Sequence, residues 1–267
     1  MMVTRGIILA AGQGTRLSPY TDDKPKCMVE IGDRSILSYT ISNFRNNKIE
    51  DICVLTGYKS EKINFPNINY VKNEKFATTN MVYTLFCAEH LMNEDLVISY
   101  GDIIYEPGVF EMLLASPADI SVVLDDNWLD LWKIRTDDPM SDAETLKLDG
   151  DRIVEIGDKP KSYSDIQSQY IGLIKCTKAG LEVLKNIYNE LKKRPSDEKI
   201  IRNRTFSELY MTDLLQLIID SGSPVNAVRV KGGFLEVDSA FEYETYTAKL
   251  KNGELRNICD LDLVPKI

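Results

Sequence analysis

A short apolar run, Arg5 to Leu9, empties directly into Ala10-Ala11-Gly12-Gln13-Gly14-Thr15. A run this brief, closed by a glycine turn, suits a buried strand that delivers a loop at its carboxyl end. From Ser35, read as an N-cap, the residues Ile36, Leu37, Tyr39, Ile41 and Phe44 recur at helical spacing, and Asp51 to Thr56 reads as the second strand. Ile68 to Val71 predicts a third strand, Thr79 to Leu91 a helix, and Asp95 to Tyr100 a buried strand ending at Gly101-Asp102. This βαβαβ rhythm implies a doubly wound, mostly parallel α/β sheet with its sites at the carboxyl ends of the strands.

Beyond about residue 120 the pattern changes. Ile120 to Leu124, Thr145 to Leu148, Ile153 to Ile156 and Tyr170 to Lys175 are short strand candidates between Asp, Gly, Pro and Ser segments, which favours antiparallel additions to the sheet. Leu181, Leu184, Ile187, Tyr188 and Leu191 mark one helix and Leu209 to Ile219 another, followed by strands at Asn226 to Val230 and Gly233 to Val237. Asp125 to Asp142, which holds both tryptophans and several aspartates, is the least periodic stretch and reads as an active-site loop. No internal repeat or low-complexity linker divides the chain, so residues 1–267 are read as a single domain, with a glycine-rich half to about 120 and a second half from about 121.

Composition removes several classes of function. The formal charge of −9 disfavours nucleic acid and anionic lipid, since affinity for either rests on clustered Lys and Arg. One histidine, His90, cannot supply a multi-histidine zinc site, so a metal would be held by carboxylates; its place near a helix end suits an exposed or capping role. The cysteines Cys27, Cys53, Cys87, Cys176 and Cys259 are odd in number, widely spaced and without a CxxC pair, which points to buried thiols in a reducing cytoplasm. The longest apolar or glycine run, Gly6 to Gly12, is far short of a membrane span, and no export signal is visible.

The glycine turn is the most informative motif. A strand running into Gly12-x-Gly14-Thr15-Arg16 sets successive backbone N–H groups around a concavity that suits phosphate, with an arginine directly behind. Walker A requires Gly-Lys-Ser/Thr where this chain has Gly14-Thr15-Arg16, and the dinucleotide fingerprint requires glycine where Leu17 stands. By itself the turn is equally explained as a tight strand-to-loop connection without a ligand.

Its company is more specific. Leu9-Ala10-Ala11-Gly12-Gln13-Gly14-Thr15-Arg16-Leu17, then Lys24-Pro25-Lys26 before Met28-Val29, resembles the signature of the sugar-phosphate and choline-phosphate nucleotidyltransferases. Ser99-Tyr100-Gly101-Asp102, Asp158-Lys159-Pro160, Tyr170-Ile171-Gly172, Tyr210-Met211-Thr212-Asp213 and Glu236-Val237-Asp238 follow in the family's order, so the resemblance spans nearly the whole chain. It implies a Rossmann-like, three-layer α/β/α nucleotidyltransferase fold, mostly parallel, with a small antiparallel addition. It also implies transfer of a nucleoside monophosphate from an NTP to a phosphorylated acceptor with loss of pyrophosphate. Such a reaction brings two polyanions together and needs no general base, because the attacking phosphate is already ionised.

Matched position by position, the resemblance gives Arg16 to the β- and γ-phosphates, Lys26 to the α-phosphate and the entering acceptor, and Lys159 to the acceptor phosphate. Asp102 and Asp238 would hold Mg²⁺. Ala10, Ala11, Gly12, Gly14, Thr15 and Gly101 would line the nucleotide site. Each residue also has a plainer reading: an aspartate at a strand end can be a turn former or cap, and Lys159 before Pro160 can be a solvated lysine.

Thr78-Thr79-Asn80-Met81-Val82-Tyr83-Thr84-Leu85 is similar to the corresponding segment of the choline-phosphate cytidylyltransferase branch, which implies CTP. Asn80 would then read the base edge or cap its helix. Trp128 and Trp132, beside several aspartates, suit an acceptor carrying a cationic amine through cation–π contact and charge pairing, or else they pack over the sheet. Carboxylates between Asp125 and Glu144 would select that positive group, and Tyr170 and Gly172 are further acceptor-side candidates. The segment from Trp128 through Leu146 also resembles a capsule-associated subgroup, which puts an amine- or amide-bearing phosphate such as L-glutamine phosphate ahead of phosphocholine. The alternatives are a sugar-1-phosphate nucleotidyltransferase using UTP, dTTP or GTP, and a non-catalytic nucleotide-binding regulatory relative. The oligomeric state is open, a homo-oligomer included.

Overall fold

The structure, a computed structural model, describes residues 3–266. Its strands are β1 (Arg5–Ala10), β2 (Glu30–Ile31), β3 (Arg34–Ser35), β4 (Asp51–Thr56), β5 (Asn69–Lys72), β6 (Leu96–Tyr100) and β7 (Ile103–Tyr105). The second half adds β8 (Ile120–Asp125), β9 (Leu146–Asp149), β10 (Arg152–Ile156), β11 (Gln169–Cys176), β12 (Asn226–Val230) and β13 (Phe234–Glu236). The α-helices are α1 (Ile36–Asn46), α2 (Met81–Phe86), α3 (Pro107–Ala115), α4 (Trp128–Arg135), α5 (Pro139–Asp142), α6 (Lys178–Leu191), α7 (Met211–Asp220) and α8 (Ala240–Lys251).

One nine-stranded sheet, in the order β5-β4-β1-β6-β11-β8-β12-β10-β9, takes strands from both halves of the chain. β1 pairs in parallel with β4 and β6, and β4 with β5, which is the doubly wound part expected from the sequence. β11 enters antiparallel between β6 and β8, while β9 and β10 close the far edge antiparallel. β12, a strand the sequence left without an orientation, runs parallel to β8. β7 and β13 form a separate antiparallel ribbon in which Glu236 faces Ile103.

Side chains of β1 alternate between two cores, as a sheet covered on both faces requires. Ile8 packs with the buried residues of α1, α3 and α4, and Ile7 with those of α2, α6 and α7. Gly6 lets α1 lie close to the sheet, since a Cβ there would fall 2.1 Å from the Phe44 ring.

Two segments differ from their sequence reading. The helix expected over Thr79 to Leu91 stops at Phe86 and tightens into a 3₁₀ turn at Glu89–Leu91, which buries both Ala88 and Met92 and presents the Leu91 carbonyl to Arg5. The expected loop from Asp125 to Asp142 is instead the end of β8 followed by α4 and α5. Trp128, Leu131 and Trp132 anchor α4 in the core; burying them outweighs its weak apolar periodicity. Among the described residues no helix is long and apolar enough to cross a membrane.

Candidate active site

The glycine turn opens at the carboxyl end of β1. Gly14 has φ 69°, and a side chain there would meet the Lys26 stem at 2.9 Å, so glycine both permits the left-handed turn and makes room for the lysine. Thr21 fixes the turn by donating its hydroxyl to the Gly14 carbonyl at 2.9 Å. Gly12 has open space where a Cβ would stand, and Gly101 approaches β1 closely enough to donate its N–H to the Leu9 carbonyl at 2.9 Å.

Above this turn three distant segments converge on one ammonium group. Lys26 reaches Asp102, just past β6, at 2.5 Å, and Asp238, between β13 and α8, in a second ion pair. Glu236 completes an acidic set: one oxygen from each of Asp102, Glu236 and Asp238 lies within 4.8 Å of the others. Arg16 pairs with Asp238 at 3.0 Å from the solvent side. Burial alone would drive the Lys26 ammonium down, but Asp102, Asp238 and Glu236 outweigh it and hold the pKa above the ordinary lysine value. Burial pushes the Glu236 carboxyl up to about 8, opposed by a neighbouring arginine and reinforced by Asp238 and Asp102. Asp238 goes the other way: burial raises it, yet Lys26, Arg16 and Arg135 together keep it below the usual carboxylate range.

Arg135 is that neighbouring arginine. Its side chain, at the end of α4, is 2% exposed and contacts Glu236 at 2.8 Å, Glu242 at 2.8 Å, Asp238 at 3.5 Å and Asp142 at 3.6 Å. Glu242 in turn accepts the backbone N–H groups of Asp238 and Ser239, and Ser239 caps α8. The capping duty therefore falls to Ser239 and Glu242, which leaves the Asp238 carboxylate to the basic groups. Sequence reading missed Arg135, Glu236 as a separate site member, and Glu242. Only the Ser239-x-x-Glu242 spacing was a signal, since Arg135 lies in the stretch read as a loop.

Two adjoining pockets, of about 150 and 250 Å³, share Met81 and Tyr100 as a common wall. The first is lined by Ala11, Gly12, Asn80 and Asp102, the second by Arg16, Trp132, Glu144, Tyr170, Glu236 and Asp238. Asn80 does cap α2, accepting from Met81 N at 2.8 Å, and also borders the first pocket. Ala10 is buried beneath the turn, and Thr15 is exposed on it. Trp128 lies in the core, edge-on to Trp132, outside both linings, and the Trp132 ring is already covered by the Arg135 guanidinium at 4.5 Å. Gly172, with φ 85°, occupies the irregular part of β11, where a Cβ would strike the Tyr100 ring at 2.6 Å. Lys159 is exposed on the turn after β10 and forms no ion pair among the described residues; its neighbour Asp158 is held by Arg202 at 2.7 Å. His90 is exposed and apart from the cluster.

A glycine turn that faces a lysine locked between strand-end carboxylates is a nucleotide-handling arrangement, and similarity to known proteins agrees with it. Residues 5–113 match the family model described as nucleotidyl transferase. CTP:phosphoglutamine cytidylyltransferase of Campylobacter jejuni is 36% identical over 254 residues, covering 91% of this chain and 99% of its own. The chain belongs to the nucleotidyl transferase family. Choline-phosphate cytidylyltransferase of Streptococcus pneumoniae is 36% identical over 100 residues, 36% of this nucleotidyltransferase and 42% of the relative. The inositol-1-phosphate CTP transferase structure from T. maritima shares the fold, with TM-score 0.71 and 19% identity over 97% of this chain and 99% of that one.

The nucleotidyltransferase thus places five carboxylates, Asp102, Asp142, Glu236, Asp238 and Glu242, around Lys26, Arg16 and Arg135. Removing the buried cation leaves its partners uncompensated. Arg135→Met should cost about 3–5 kcal/mol in urea unfolding, and Glu242→Gln in the same chain should return part of it; a loss under about 1 kcal/mol contradicts this reading.

Proposed function

We propose that this enzyme transfers CMP from CTP to a small phosphorylated acceptor bearing an amine or amide, with L-glutamine phosphate first, and releases pyrophosphate. The observation that carries the reading is the Lys26, Asp102, Glu236 and Asp238 cluster at the mouth of the glycine turn. The acceptor follows the relative that matches over nearly the full length, whose name specifies phosphoglutamine and CTP. A non-catalytic role is the weaker reading because Arg16, Lys26, Asp102 and Asp238 occur together, and a sugar-1-phosphate acceptor is weaker because the relative that matches over nearly the full length is named for phosphoglutamine.

The acidic set fits a small divalent cation. Its donors are hard carboxylate oxygens, and Asp102 Oδ1 is buried without a hydrogen-bond partner. Asp102 and Asp238, joined by Glu236, would hold Mg²⁺, which when bound supplies charge neutralisation and orientation to the triphosphate. The rest falls to the chain. The glycine turn offers backbone N–H groups, Arg16 faces the leaving β- and γ-phosphates, and Lys26 offers a permanent positive charge to the α-phosphate. An acceptor phosphate oxygen attacks the α-phosphorus in line; the new P–O bond forms as the bond to the bridging oxygen of pyrophosphate breaks. Lys159 is our reading for the acceptor phosphate, reached from its exposed turn.

In this reading residues to about 120 bind the nucleotide and those from about 121 the acceptor, within one domain that can also assemble as a homo-oligomer. The five free cysteines support a reducing cytoplasm. The CDP-linked product would serve surface polysaccharide or lipid decoration.

A matrix of CTP, UTP, GTP and dTTP against L-glutamine phosphate, choline phosphate and glucose 1-phosphate, followed by pyrophosphate release with Mg²⁺, tests this. Turnover should be greatest for CTP with L-glutamine phosphate; faster reaction of UTP with the sugar phosphate moves the assignment to the sugar branch. Asp102→Asn and Asp238→Asn should each lower kcat by about 10³-fold or more with the fold intact. Gly12→Ala, whose methyl meets nothing in the protein, should keep wild-type stability yet raise the KM for CTP about 10-fold; unchanged KM removes Gly12 from the nucleotide site.

A further inference from the structure

Carboxylates are abundant between Asp125 and Glu144, but the structure leaves few of them free to read a positive group. Asp125 is turned to the backbone N–H groups of Asn127 and Gly232, and Asp126 pairs with Arg229 at 3.0 Å. Asp130 belongs to another cavity of about 590 Å³ on the opposite side of α4, lined also by Leu131 and Ile134, which shares no residue with the cluster. Asp138 accepts from Met140 N. Asp142 borders the acceptor-side pocket but is shared by Arg16 at 4.0 Å and Arg135 at 3.6 Å, which disfavours a further cation there.

Glu144 is different. It lines the same pocket as Glu236 and Asp238, and forms no ion pair among the described residues. The nearby arginines are already balanced: Arg202 is held by Asp158 and Asp213, and Arg204 by Asp213. One oxygen of Glu144 accepts weakly from Thr212 at 3.4 Å. The backbone that carries the carboxylate is held in place. The buried Gln169 amide brackets its backbone, donating to the Glu144 carbonyl at 2.6 Å and accepting from its N–H at 3.1 Å. A carboxylate without an ion-pair partner, carried on a fixed backbone at a pocket wall, suits a cationic group of the ligand. The two tryptophan faces do not compete for the role, because Arg135 covers Trp132 and Trp128 is in the core.

We infer that Glu144 is the specificity-determining residue for the acceptor, pairing with a primary ammonium group on the phosphorylated small molecule, with Gln169 as its positioning residue. This rests on the amine-bearing acceptor proposed above. Burial raises the Glu144 pKa, against the lowering effect of Arg202, Thr212 and Arg204, so its charged form is costly where it stands and an incoming ammonium offsets that cost. A substrate lacking the ammonium leaves the half-buried carboxylate without an ion-pair partner, which is how such a site rejects it.

The test compares L-glutamine phosphate with its analogue lacking the α-amino group, using wild-type enzyme, Glu144→Gln and Gln169→Leu with CTP and Mg²⁺. Wild-type kcat/KM should favour the amine-bearing acceptor by about 100-fold or more. Glu144→Gln should erase most of that preference, lowering kcat/KM for the amine-bearing acceptor while the analogue and the KM for CTP change less than about threefold. Gln169→Leu should weaken the preference partially, through KM more than kcat. Equal losses on both acceptors, an intact preference in Glu144→Gln, or a raised KM for CTP alone overturns the inference. Wild-type turnover of neither acceptor contradicts the acceptor reading itself, and the inference with it.

Discussion

Burying the Lys26 ammonium is the interaction on which this site depends. An ammonium taken out of water costs several kcal/mol unless carboxylates surround it. Here they come from two remote places, Asp102 behind β6 and Asp238 behind β13, so forming the pairs requires the glycine turn, the parallel half of the sheet and the β7–β13 ribbon to meet. Gly14 takes part directly, since any side chain there would displace the lysine stem.

Carboxylates gathered for one cation repel each other, and Arg135 answers that repulsion. It contacts Glu236, Asp238, Asp142 and Glu242 from the end of a helix wedged into the core by two tryptophans. The same helix borders the larger cavity through Asp130, Leu131 and Ile134, while its tryptophans brace the cluster. The overall charge of −9 has a local counterpart: negative groups still outnumber positive ones in the site, an imbalance that suits a divalent cation.

Much of this was readable from the chain. Asp51–Thr56, apolar and buried from Ile52 to Leu55, and Asn226–Val230, where Val228 and Val230 are buried and Arg229 is exposed, have the same limits in the structure as in the sequence reading. The turn with Arg16, Lys26, Asp102 and Asp238 was legible because the two aspartates follow strand ends and the two cations sit in the glycine turn and the Lys-Pro-Lys segment, in a recognisable order. Arg135, Gln169 and Glu144 were not: each owes its position to tertiary contacts across 25 to 107 residues, which no local period encodes. The segment around Arg135 was unreadable for a further reason, since its helix is fixed by tryptophan burial against weak intrinsic patterning. Trp128 and Trp132 looked like ligand-facing aromatics because sequence does not reveal which face an arginine will cover.

The central claim, that the acidic set beside Lys26 is a cation site, predicts a proton count. Burial pushes Glu236 up to about 8, so a divalent ion entering the site near neutral pH should displace a proton. Calorimetric titration of the nucleotide-free enzyme with Mn²⁺, in buffers of different ionisation enthalpy, should register release of nearly one proton at pH 7 and almost none at pH 9.5. Affinity should rise with pH up to about 8 and then level, and Glu236→Gln should abolish both effects. Binding without proton release and with a flat pH dependence, or the same release from Glu236→Gln, would contradict the account.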